Sequence, residues 1–277
     1  MSESGATALA EWDLAPPNPL YYATFLLPAS RRPAEALLWQ HKALLDDIPF
    51  SCQDPGVAAA KLAWWQEEFA RAADGAGRHP LSQRWKTLDL DARSLANALA
   101  AHAASLTRRG RTPASDSAAE LRQVADALAP LAAHLASSNA TQGAGQGVRH
   151  RTNHKADYAA ELTENIAQLL CALQLGIEFL RVGEAHAARH PIWPTTLGTD
   201  GEAMRDYVAT RRMALRAATA TLPAALRRRL CALITQARLT DFALAALGDP
   251  ARELMQGRPE AGPGTALAIA LRSRFLG

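Results

Sequence analysis

Aromatic residues make up only 6% of this 277-residue chain, and runs of β-branched residues are almost absent. Pleated sheets draw on those side chains to cover their faces, so the shortage argues against a β protein. Cysteine is scarce too: Cys52, Cys171 and Cys231 share no metal-ligand spacing, and any disulfide scheme leaves one unpaired. Cys171 and Cys231 fall in apolar helical runs, as small core residues do. No uncharged run approaches the ~18 residues that cross a bilayer. The opening MSESGATALAEWDL has neither a basic nor an apolar leader region, which predicts no signal peptide. A formal net charge of +3 is too small to argue for nucleic acid. Phosphate-binding loops, dinucleotide fingerprints and nucleophile elbows are missing as well. The expectation is a reduced, cytoplasmic protein.

Alanine runs and other strong helix formers fill the chain, and 48% of it is apolar. That composition predicts an all-α fold with a sizeable core. Residues 1–17 are polar and end in prolines, the pattern of a flexible lead before a single helical domain over 18–277. Ser30 and Pro33 suit the start of a helix running to about Asp47. Pro49 and Pro55 bracket a loop in which Asp54 can cap a helix over 55–73. Further helices are predicted from about 89 to 107 and from 115 to 138, the latter kinked at Pro130. A Gly-rich polar break over 137–147 comes next. The longest helix is predicted from about 155 to 190, then 201–222, 223–247 and a short C-terminal helix ending near Phe275. His150 and His154 have a metal-like spacing but no third ligand, and read as part of a solvated loop.

Five stretches, in order, carry a resemblance. Leu20-Tyr21-Tyr22 leads to Leu26-Leu27-Pro28, Leu45-Asp46-Asp47-Ile48 follows, and then come Trp64-Trp65-Gln66-Glu67-Glu68 and His79-Pro80-Leu81. The last is Gln174–Pro194, QLGIEFLRVGEAHAARHPIWP. Together they resemble the squalene/phytoene synthase family, which joins two prenyl diphosphates head to head with Mg²⁺ held between two acidic helices. Gln174, Leu175, Val182, Gly183, Glu184 and Pro194 match its second acidic segment without gaps. The metal-binding positions differ: Ile177 stands for Asn, Arg181 and Ala185 for Asp, and in the first segment Phe50 replaces the last Asp.

The resemblance implies an isoprenoid-synthase-type helical bundle around a central apolar cavity. In an active member, Asp46, Asp47 and Glu184 would be the catalytic and Mg²⁺-holding carboxylates. Tyr21, Tyr22, Gln174, Ile177 and Arg181 would contact the substrate, with Leu45, Phe50, Leu173 and Leu180 as apolar lining. Mg²⁺ needs oxygen ligands, and a D-D-x-x-D helix supplies two carboxylates on one face. Here the position four residues after Asp46 is an apolar ring. Arg181 either turns inward to take the charge role of the lost ion or pairs on the surface with Glu178 and Glu184. Asp46 and Asp47 are either solvated loop acids or the remnant of a polar site.

Three functions follow from these alternatives. One is a divergent protein that binds a prenyl diphosphate or isoprenoid lipid, with weak or absent condensation activity. Another is an active prenyltransferase. The last is a non-catalytic assembly partner, for which a family branch containing a mitochondrial complex I assembly factor is the precedent. The arginine clusters at 108–111, 211–212 and 227–229 are either solvated helix ends or attractors of anionic lipid or diphosphate. The second option would put the protein at a membrane surface.

Overall fold

A computed structural model describes residues 18–52, 54–87, 91–109, 117–137, 152–181, 201–248, 250 and 261–276. All regular structure in them is helical. The predicted flexible lead (1–17) and most of the Gly-rich break lie outside the described residues, as do Glu184 and the rest of the second acidic segment beyond Arg181.

Local chemistry sets most of the boundaries. Helix α1 (Pro19–Phe25) starts on Asn18, whose side chain accepts the Leu20 N–H at 2.9 Å. Helix α2 spans Arg32–Ser51 and α3 spans Pro55–Ala73, with Asp54 accepting the Gly56 N–H at 2.6 Å, as a capping aspartate should. Gly75, at a φ of 75°, lets the chain turn back after α3. Then come α4 (Pro80–Gln83), a 3₁₀ turn over Arg84–Thr87, α5 (Ala92–Arg109) and α6 (Ser117–Ser137). Helix α7 runs Thr152–Leu180, α8 Gly201–Thr221, α9 Ala224–Arg229, α10 Cys231–Ala246 and α11 Pro263–Phe275.

Three of the predicted helices depart from expectation. Pro49 does not stop α2, which continues to Ser51. Little helix remains after it, and Ile48, Pro49 and Phe50 are all buried, so packing outweighs the missing N–H. Helix α7 begins at Thr152, taking His154 into a helix, and ends at Leu180 with Arg181 in a turn. The predicted 223–247 helix divides at Leu230 into α9 and α10.

The helices close into a ring. Helix α2 packs on α1 and α5, α5 on α6, α6 on α7, α7 on α10, and α10 back on α1. One apolar core runs through all of them, and α8 packs against both α7 and α10. Between α7 and α10 the approach is close: a β-carbon on Gly176 would stand 2.7 Å from Thr240 Cγ2 and 3.5 Å from Leu215 Cδ1. Alanine favours a helix by about 1 kcal/mol over glycine. Overpacking costs about 1–3 kcal/mol, so Gly176→Ala should lower stability, read as a fall in the denaturant midpoint at constant m. An unchanged or higher midpoint would mean that the contact relaxes freely.

Candidate functional site

Across the ring, polar side chains from α2, α5 and α7 meet in the core. Lys42 and Asp46 lie one turn apart on α2, with the ammonium 2.6 Å from Asp46 Oδ2. The same ammonium donates to Gln174 Oε1 on α7. That fixes the amide: its oxygen faces the cation, and its Nε2 donates to Asp46 Oδ1 at 3.1 Å and Glu178 Oε1 at 2.9 Å. From α5, His102 Nε2 meets Asp46 Oδ1 at 2.7 Å. All five side chains are buried, and His102 is only 1% exposed. Asp46 thus accepts at both oxygens.

Burial by itself raises the proton affinity of Asp46. The Lys42 ammonium, then His102 and the hydrogen bonds from both, outweigh burial and hold the carboxyl well below the usual carboxylate range.

Arg181 points inward and completes the cluster. Its Nη2 lies 2.8 Å from Asp47 Oδ1, its Nη1 lies 3.4 Å from the Asp46 carbonyl, and the guanidinium sits 4.3 Å above the Phe50 ring. Phe50 therefore serves as a platform for a cation. The Asp47 side chain remains 55% exposed, so its ion pair is screened. Arg181→Ala should therefore cost about 1–2 kcal/mol, combining a screened pair with a desolvated cation–π contact. A loss above that range in urea titrations would show that Asp47 is held more tightly than its exposure implies.

Among the described residues, the side chains of this cluster do not suit a magnesium ion. Both Asp46 oxygens, Asp47 Oδ1, Gln174 Oε1 and Glu178 Oε1 already accept from protein N–H groups. Their nearest charged neighbours are an ammonium and a guanidinium. An octahedral oxygen shell would have to expel Lys42 from its partners. Among the described residues no group of three or more His, Cys, Asp or Glu side chains is placed to hold a metal.

Other candidates have other roles. Tyr21 and Tyr22 belong to a small cluster with Ala266 and Ala270 of α11, and Tyr21 stacks on Phe25. Ile177 is half-buried against the main core, where Leu45, Leu173 and Leu180 are also packed. Trp65 is buried while Trp64 stays exposed. Glu68 accepts the backbone N–H groups of Arg78 and His79 at 2.6 and 2.7 Å, so the His79-Pro80 element is pinned structurally. Burial, then Glu35, pushes the Cys231 thiol up to about 11, which makes it an inert core residue at neutral pH.

Sequence reasoning missed Lys42 and His102. Lys42 carried a signal, a cation four residues before an acid on one helix. His102 carried little, being one histidine in the alanine-rich run of α5. No known family model, curated protein or solved structure matches the chain.

Proposed function

We propose that this chain is a divergent squalene/phytoene synthase-like protein that binds a prenyl diphosphate or isoprenoid lipid and performs little or no Mg²⁺-dependent condensation. The observation that carries the reading is the pairing of Asp46 with Lys42 and of Asp47 with Arg181. In the parent chemistry, carboxylates hold metal ions that draw charge from a departing diphosphate. Here the same acids are neutralised by cations of the chain itself, and little negative field is left to recruit an ion. Under this reading the helical ring is an isoprenoid-synthase-type bundle, and Leu45, Phe50, Leu173, Ile177 and Leu180 supply apolar walls for a prenyl chain. Burial at ~25 cal/mol per Å² would make the tail the main source of affinity.

A second reading, a non-catalytic assembly partner, is favoured by one feature. Leu45 and Leu173 are both 0% exposed, packed against the protein's own core. One set of measurements separates the alternatives: diphosphate release from farnesyl diphosphate with Mg²⁺, calorimetry with Mg²⁺ plus diphosphate, and native mass spectrometry with a non-hydrolysable farnesyl analogue. The expected result is no turnover, no coupled binding of metal, and a bound analogue. Steady turnover, or uptake of two or three ions as in the family's Mg²⁺-diphosphate site, would establish the active prenyltransferase. Failure to bind the analogue would leave the assembly partner.

A further inference from the structure

Outside the Asp46 cluster, a cleft of about 660 Å³ opens between α8, α10 and α11. Five arginines line it: Arg212 and Arg216 from α8, Arg227 from α9, Arg238 from α10 and Arg272 from α11. The single acid in the lining is Asp241. It accepts from Arg212 Nε at 3.0 Å and from Arg216 Nη2 at 3.0 Å and Nε at 3.1 Å. Five guanidinium groups against one carboxylate leave the lining with an excess of four positive charges.

Four of these cations meet protein acceptors, while Arg272 is exposed. Arg227 Nη1 donates to the Leu222 carbonyl at 2.7 Å, and Arg238 Nη1 to Ser273 Oγ at 3.1 Å. Arg227 Nε is buried with no acceptor. Burial first, then the charges of Arg272 and Arg227, lower the proton affinity of Arg238, which is the mark of cations crowded together. Such crowding is unfavourable until an anion arrives, and guanidinium forks match phosphate oxygens in pairs. The rest of the lining is different in kind. It includes Leu215, Ile269 and Phe242, the last 39% exposed.

We propose that this cleft, where five arginines from four helices share a lining with Leu215, Phe242 and Ile269, is a binding site for a phosphoryl group carried on an apolar body. The phosphoryl group can arrive on a free phosphate ester or diphosphate, or on a lipid headgroup. The proposal is independent of the reading of the Asp46 cluster.

The test uses the full chain without divalent metal, in two arms. Inorganic pyrophosphate is titrated by calorimetry, and phosphatidylcholine vesicles with and without phosphatidate are used in co-sedimentation. Arg272→Glu, on an exposed side chain, should weaken binding about tenfold or more, because charge-assisted contacts of this kind are the strong ones. Arg227→Gln should weaken it in the same direction, and its thermal melt checks that it folds. Arg205→Glu changes net charge identically at an exposed arginine of α8 outside the lining and should have little effect. Pyrophosphate binding lost in the cleft variants identifies a free ligand. Binding only to phosphatidate vesicles, lost in the same variants, identifies a lipid. No binding in either arm overturns the proposal. So does an equal effect of Arg205→Glu, or a pyrophosphate signal that follows Arg181→Ala and ignores Arg272→Glu.

Discussion

Replacing Lys42 by methionine should cost about 3–5 kcal/mol of folding stability at neutral pH, the range expected when one partner of a buried ion pair is removed. Methionine keeps the length of the side chain but removes the ammonium, leaving Asp46 buried with Gln174 and His102 alone. The penalty is therefore electrostatic more than steric. Asp46→Asn on the Lys42→Met background removes the stranded charge and should recover part of the loss, so a double-mutant cycle should show coupling above about 1 kcal/mol. The pH dependence gives a second check. In the wild type the depressed Asp46 pKa contributes stability that is present above the unfolded value of 3.8 and is lost as pH falls below it. Without Lys42 its largest depressing influence is gone, burial raises the carboxyl, and the gap between variant and wild type should narrow on acidification. A loss under about 1 kcal/mol, constant with pH, would show that Lys42 is dispensable to Asp46.

Acidification from pH 7 to about 4.5 should itself remove roughly 2–3 kcal/mol through His41. Its Nδ1 donates to the Leu37 carbonyl at 2.8 Å, and the ring meets Trp65, Phe69 and Trp85 edge-on at 5.6–5.8 Å between centroids. Burial pushes its pKa down to about 4 from 6.5, and the Leu37 hydrogen bond offsets this only in part. Between those values the unfolded chain binds a proton that the native ring refuses, so stability rises with pH across the window and is lost as pH falls through it. His79, also lowered by burial, acts with the same sign. Thermal melts of wild type and His41→Leu across this range provide the measurement. The variant should start less stable and lose less on acidification, keeping the share that belongs to His79. Parallel curves would assign the acid sensitivity to other groups.

Helix existence was legible because it depends on neighbours in the chain. Asp54 before Pro55 predicted where α3 starts, Gly75 and Gly77 predicted its end, and the C-terminal helix ended at Phe275 as its pattern required. Pro49 and Leu230 were misread for a single reason, that local signals yield where packing gains more. The apolar burial of Ile48 and Phe50 carried α2 past a proline, and one long helical pattern divided in two at the buried Leu230. The candidate site was half legible. Asp46, Asp47, Gln174 and Arg181 were drawn together by a resemblance and by opposite charge, and the structure brings them into one cluster.

By itself the sequence determined the all-α class and the order of most helices. Propensity, capping and side-chain identity are properties of short stretches. Only the tertiary structure decided that Asp46 is neutralised by Lys42 and met by His102 from a distant helix, that the tyrosines of α1 turn to α11, and that arginines from four helices share one cleft. The state of a buried charge depends on whatever stands within a few ångströms of it, and those neighbours come from parts of the chain that ring closure, not sequence proximity, brings together.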